Sequence, residues 1–171
     1  MLIFVVVPFL SIRAIDQTGQ PASLVGGLVT VQMFGYIMGN LLSGYLGDKL
    51  GVRLPMILGR FLLLLGVMAA PFSIEIWQFL AIFFLLGFGL STAQVGDLTM
   101  VFDFAPPYRR KFFFAVMGVL IVPGVLSASL ISAGLQYINN GFYIACLISG
   151  LGVAISLAFL LKMRDPRQHN L

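Results

Sequence analysis

Five uninterrupted apolar runs, each long enough to cross a lipid bilayer, constrain what this chain can fold into more than any other feature. They cover Ala22 to Gly47, Leu54 to Pro71, Ile76 to Phe102, Phe112 to Tyr137 and Phe142 to Leu161, with short polar punctuations between them. A helical crossing takes about 20 apolar residues at about 1.5 Å of rise each. A sixth run, Met1 to Ile12, is too short to span and reads as the tail of a helix that starts upstream. It has neither the positively charged flank nor the A-x-A-like cleavage site of a signal peptide. The chain is therefore expected to be a piece of a longer protein.

Composition supports this reading. Mean hydropathy is +1.04, with 60% hydrophobic and 9% charged residues, whereas soluble domains are about half apolar and about a quarter charged. The excess has to face lipid. The expected fold class is all-α, a polytopic transmembrane helical bundle over residues 1–171, with a tail at 162–171. The net charge of +4 does not point to nucleic acid, because ten basic residues scattered between apolar runs form no patch that a duplex could use. Cys146 is alone, His169 lies in the tail, and no His/Asp/Glu cluster within the runs offers metal ligands or an acid/base pair. No cofactor and no enzymatic activity are expected.

Charge placement orients the helices. Cytoplasmic loops of membrane proteins collect Lys and Arg. One set of loops and helix ends holds Lys49, Arg53, Arg60, Arg109, Arg110, Lys111, Lys162, Arg164 and Arg167; the opposite set holds only Arg13, near Asp16 and Glu75. This places residues 48–53, residues 103–111 and the C-terminus in the cytoplasm.

Within the runs, Gly35, Gly39, Ser43 and Gly47 recur at four-residue spacing and read as a packing seam rather than a substrate contact. Gln32, Tyr36 and Asn40 form a polar stripe about 100° round the same helix. Buried polar groups need partners or water, so this stripe faces either a cavity or the hydrogen-bonding groups of another helix. The run from Ile76 carries Ser91, Thr92, Gln94, Asp97 and Thr99 in one half. Asp97 is either a proton carrier or counter-charge to substrate, or the partner of a basic residue such as Arg60 or Arg53. Pro123 and Gly124 mark a candidate hinge, since proline removes a donor from the helical ladder.

The segment Gly44-Tyr45-Leu46-Gly47-Asp48-Lys49-Leu50-Gly51-Val52-Arg53 resembles the signature loop of the major facilitator superfamily, G-x-x-x-D-[RK]-x-G-[RK]-[RK]. Gly44, Asp48, Lys49, Gly51 and Arg53 match, while Val52 stands where a basic residue is usual. Asp103 to Arg110 resembles the loop after the tenth helix of bacterial members, and Arg164-Asp165-Pro166-Arg167 the run that follows the twelfth. The resemblance implies the C-terminal half of such a transporter, from the end of helix seven to helix twelve, in a bacterial cytoplasmic (inner) membrane, with the N-terminal six-helix half missing. It implies alternating access of a small solute, with Gln94, Asp97, Gln32, Tyr36 and Asn40 as candidate cavity or coupling residues and proton coupling left open. It also implies a cytoplasmic charge network in which Asp48 sits against a helix of the other half, Lys49 and Arg53 pair with Asp103 or Asp97, and Arg109 and Arg110 take part. A non-transporting membrane scaffold is the alternative, and a membrane-embedded enzyme a weaker one.

Overall fold

The computed structural model describes residues 3–21, 23–51, 53–138 and 140–162, with the side chains of 50, 102–104 and 107 outside the description. Six α-helices follow one another: α1 (Ile3–Thr18), α2 (Leu24–Leu50), α3 (Arg53–Ala69), α4 (Ile76–Phe104), α5 (Arg110–Leu135) and α6 (Gly141–Lys162). Single 3₁₀ turns follow α3 (Ala70–Phe72) and precede α5 (Pro107–Arg109). Among the described residues, five of these segments are long and apolar enough to cross a membrane, with mean hydropathies from 1.4 to 2.5.

The first helix does not stop at Ile12. Arg13, Asp16 and Gln17 lower hydropathy without breaking the helix, which ends where Gly19 takes a positive φ of 62° and its N–H bonds to the Ile15 carbonyl. Thr18 Oγ1 donates to the Ala14 carbonyl in the same turn. Pro8 lies inside α1 and Pro123 inside α5 without interrupting either. The segment expected to be a loop from Gly44 to Arg53 is helical as far as Leu50, so Gly44, Asp48 and Lys49 belong to the last turns of α2. Only Gly51, at φ 84°, makes the turn that glycine permits.

Close contacts at glycine fix the packing. α2 and α4 run in the same direction, and α2 lies on α4 so closely that a Cβ at Gly35 would sit 2.4 Å from the Phe84 carbonyl oxygen and one at Gly39 2.6 Å from that of Phe88. From the other side, a Cβ at Gly87 would lie 2.0 Å from the Gln32 carbonyl oxygen. α3 is antiparallel to α4 and meets it equally closely, with Gly59 and Gly89 against each other's backbones. The expected seam thus holds at Gly35, Gly39 and buried Ser43, but it does not extend to Gly47, where an added Cβ would meet nothing within 4 Å.

The core lies around α4 and α1, where Phe79, Phe83, Val5, Val6 and Leu10 are fully buried. α5 is attached more loosely, with only Ala128, Ser132 and Leu135 buried, all in its second half. At the end of the bundle opposite Asp48, Arg13 donates to the Pro71 carbonyl (3.2 Å) and lies over the rings of Phe142 (4.4 Å) and Tyr143 (5.4 Å), joining α1, the turn after α3 and α6.

These contacts predict that Gly87→Val, which drives a side chain into the α2 backbone, destabilises the bundle by about 1–3 kcal/mol or more. Gly26→Ala, at a position with nothing within 4 Å, leaves stability near that of the parent. Thermal unfolding in detergent, followed by circular dichroism, distinguishes the two.

Candidate functional site

Two polar contacts inside the spans share one region of the bundle. In the first, the Tyr36 hydroxyl on α2 donates to Gln94 Oε1 on α4 at 2.5 Å. The bond bridges the same two helices as the glycine seam. The polar stripe of α2 is therefore partly spent on an interhelical bond. Gln32 and Asn40 are half-buried on the same helix and form no side-chain hydrogen bond with a described residue.

In the second contact, one turn further along α4, Asp97 Oδ1 accepts from Arg60 Nη2 on α3 at 2.9 Å. Arg60 Nε donates in turn to Ser156 Oγ on α6 at 2.7 Å, so one guanidinium ties three helices. Of the two partners expected for Asp97, it is Arg60 that pairs. Arg53, at the start of α3, instead donates from Nη2 to the Leu161 carbonyl at 2.7 Å and braces the end of α6. Two polar atoms here are enclosed without a partner among the described residues, Arg60 Nη1 and Ser91 Oγ. Leaving such a donor unpaired costs about 1–3 kcal/mol.

Arg60, Gln94, Asp97 and Ser156 line a cavity of ≈ 320 Å³ between α1, α3, α4 and α6, whose remaining wall is mostly apolar. That wall includes Ile3 and Phe4, the first described residues of α1. Among the described residues, no cluster of three or more His, Cys, Asp or Glu side chains could hold a metal ion.

The expected cytoplasmic network is only partly visible. Asp48 is exposed. Lys49 does not reach Asp97: its ammonium turns back to the Tyr45 hydroxyl (2.5 Å) and lies over that ring. The reason is reach, since four helical residues separate Lys49 from Tyr45, which places both on one face. Arg109 lies over the Tyr108 ring at 5.5 Å, and Arg110 opens α5. The Asp103 side chain, Val52 and residues 164–167 fall outside the described residues. Pro123 and Gly124 stand within a continuous helix, at the boundary between its unburied first part and its anchored second part.

Arg60 and Ser156 were not among the sequence-derived cavity residues. Arg60 carried a signal, since an arginine seven residues inside an apolar run needs a partner. Ser156 carried none, because a lone serine in a membrane helix commonly bonds to its own backbone.

Six helices, five of them of spanning length, packed through small residues around buried polar contacts, define an integral membrane protein of the polytopic helical class. The sequence model of the Major Facilitator Superfamily matches residues 1–171, and the chain belongs to that family. It is 27% identical over 141 residues to mouse solute carrier family 2, facilitated glucose transporter member 12, covering 82% of the chain and 23% of that protein. It is 27% identical over 158 residues to the 4-hydroxybenzoate transporter PcaK of Pseudomonas aeruginosa, covering 92% and 35%. It is 28% identical over 160 residues to the multidrug resistance protein MdtH of Aeromonas salmonicida, covering 92% and 40%. The chain thus spans between about a quarter and two fifths of the length of these relatives.

The geometry predicts that Arg60→Gln, which leaves Asp97 without a counter-charge, lowers stability by about 1–3 kcal/mol, less than for a fully buried pair because Asp97 is partly exposed. Arg60→Gln combined with Asp97→Asn restores most of that loss. Equal melting temperatures for the single and double variants would remove the ion pair from the list of stabilising contacts.

Proposed function

We propose that this chain is the C-terminal half of a secondary transporter that moves a small solute across a membrane by alternating access, running from the end of helix seven to helix twelve. The observation that carries the reading is the family match over residues 1–171, together with the polar stripe of Gln32, Tyr36 and Asn40, joined to Gln94 through Tyr36, on a helix whose outward face is uncovered. The chain's relatives in the Major Facilitator Superfamily are named for glucose, 4-hydroxybenzoate and multidrug resistance. A scaffold would use the same glycine seams, but it would have no need to keep Gln32, Tyr36, Asn40 and Gln94 within the spans.

On this reading the N-terminal six-helix half covers the outward face of α2, where Phe34, Ile37, Leu41 and Tyr45 are exposed, together with the unburied first part of α5. The two halves rock about a site between them. Pro123 and Gly124 allow the first part of α5 to move while Ala128, Ser132 and Leu135 hold the second part in place. Asp97, the acid deepest within a span among the described residues, is the group through which protons would couple to solute movement. Asp48, Lys49, Arg53, Asp103, Arg109 and Arg110 lie on the cytoplasmic side of a bacterial inner membrane, as the distribution of basic residues supports.

Two measurements test this. In proteoliposomes of the intact protein, Gln94→Ala lowers solute uptake at least about tenfold, the effect of losing a desolvated hydrogen bond to substrate, and does so more than Tyr36→Phe, which removes the same interhelical bond but leaves Gln94 in place. Uptake unchanged by this substitution would remove Gln94 from the solute path. For orientation, buried Cys146 is first replaced by alanine and single cysteines are placed at Tyr108 and at Phe72, which are 80% and 81% exposed. A membrane-impermeant thiol reagent added outside intact cells labels the position at 72 and spares the one at 108; the reverse pattern overturns the orientation.

A further inference from the structure

The basic residues at the end of the bundle that carries Asp48 differ in what holds them. Lys49 and Lys162 lie in the last turns of α2 and α6, where the negative end of the helix dipole favours a cation. Arg53 opens α3, but its Nη2 is spent on the Leu161 carbonyl at 2.7 Å. At the start of α5, Arg109, Arg110 and Lys111 follow one another, all exposed. The dipole is positive there, and no acidic residue stands in the first turn. From residue 98 to residue 164 the sequence holds a single acid, Asp103. Basic residues on one side of a membrane orient a chain, but orientation does not call for three in succession at the positive end of a helix, where mutual repulsion and the dipole both act against them.

Apolar surface begins where this run ends. Tyr108, Phe112 and Phe113 are exposed, and the Phe112 and Phe113 rings meet edge to face at 6.1 Å. From Lys111 through Val119 to Phe113 the exposed positions sweep about 200° of α5. A helix of the other half covers part of such a sweep, and the remainder meets lipid.

We propose that the start of α5 binds an anionic phospholipid, its phosphate held among Arg109, Arg110 and Lys111 and its acyl chains lying along Phe112, Phe113 and the apolar face beyond them. Charge at residues 109–111 and hydrocarbon from residue 112 onward follow the order in which a leaflet presents headgroup and chain. A free anion would answer the cations but not the exposed rings. The lipid offsets the repulsion within the run and steadies the part of α5 that protein contacts leave unburied. That this lipid belongs to the cytoplasmic leaflet rests on the orientation proposed above; its binding does not.

The test titrates the intact, delipidated protein in detergent with phosphatidylglycerol and, separately, with phosphatidylcholine, reading bound lipid by native mass spectrometry, with inorganic phosphate as the competitor that has no chains. Each basic residue near a headgroup is worth about fivefold in affinity for an anionic lipid. Phosphatidylglycerol is therefore expected to bind at least about tenfold more tightly than phosphatidylcholine. Lys111→Gln lowers that ratio about fivefold, and Arg109→Gln, Arg110→Gln and Lys111→Gln together bring it to within about twofold of unity. Lys162→Gln, which removes a cation that its own helix already favours, leaves the ratio unchanged. Equal binding of the two lipids to the parent would assign the run to an acidic segment of the other half and overturn the proposal. Displacement of the lipid by millimolar phosphate would make it a free-anion site and do the same. A triple variant that keeps the preference, or a Lys162→Gln variant that loses as much as Lys111→Gln, also overturns it. Reversed thiol labelling at positions 72 and 108 would move the lipid to the other leaflet and leave these ratios as they are, and loss of the lipid preference would leave the transport reading standing.

Discussion

The rest of the structure depends on how closely backbones approach along α4. In lipid, apolar side chains gain little by exchanging lipid tails for one another, so membrane helices associate through van der Waals contact and interhelical polar bonds. Gly35 and Gly39 on α2, Gly59 on α3 and Gly87 and Gly89 on α4 remove the side chains that would hold these helices apart. The result is a three-helix unit in which carbonyl oxygens of one helix lie where a Cβ of the next would be. Both polar contacts of the site lie within it. The Tyr36 hydroxyl reaches Gln94 between α2 and α4, and the Arg60 guanidinium reaches Asp97 between α3 and α4.

Charge buried in such a unit has a different meaning from charge in the loops. Lys49 and Arg109 each lie over a tyrosine ring at the rim and remain near water. Arg60 has no such recourse, and the cost of removing its charge from water is met by Asp97 and Ser156 on two other helices. Arg13, at the opposite end, is braced in another way, by a carbonyl and two aromatic faces. One arginine thus closes an end of the bundle with aromatic contacts and another sits in its interior; among the described residues each keeps one enclosed guanidinium nitrogen without a partner, Nε of Arg13 and Nη1 of Arg60.

Packing is uneven in a way that a membrane tolerates. α4 is enveloped, while α2 and the first part of α5 present large apolar side chains outward. On a soluble protein a surface of that kind would mark an interface or an aggregation hazard; in a bilayer, lipid or further helices cover it. The faces left open on α2 and α5 belong to helices of spanning length, and the polar stripe of Gln32, Tyr36 and Asn40 runs along one of them.

Much of this was legible from residue order alone, for a physical reason. A bilayer demands that each crossing satisfy its own backbone hydrogen bonds, so a run of about 20 apolar residues has one available structure. The number of spans, their all-helical class and the resemblance carried by Gly44, Asp48, Lys49, Gly51 and Arg53 follow from such local patterns. So does the suspicion attached to Asp97, an acid where hydrocarbon is expected. Boundaries were less legible: Arg13 and Asp16 looked like the end of a helix, yet it continues to Thr18 because polarity alone does not unwind a helix, whereas Gly19 with a positive φ does. Which small residues form the seam, which basic residue answers Asp97, and that Ser156 holds that residue from a third helix were decided only by tertiary structure. Those choices depend on the rotation and depth of one helix against another, and the periodicity of a single helix carries no information about the face its neighbour presents.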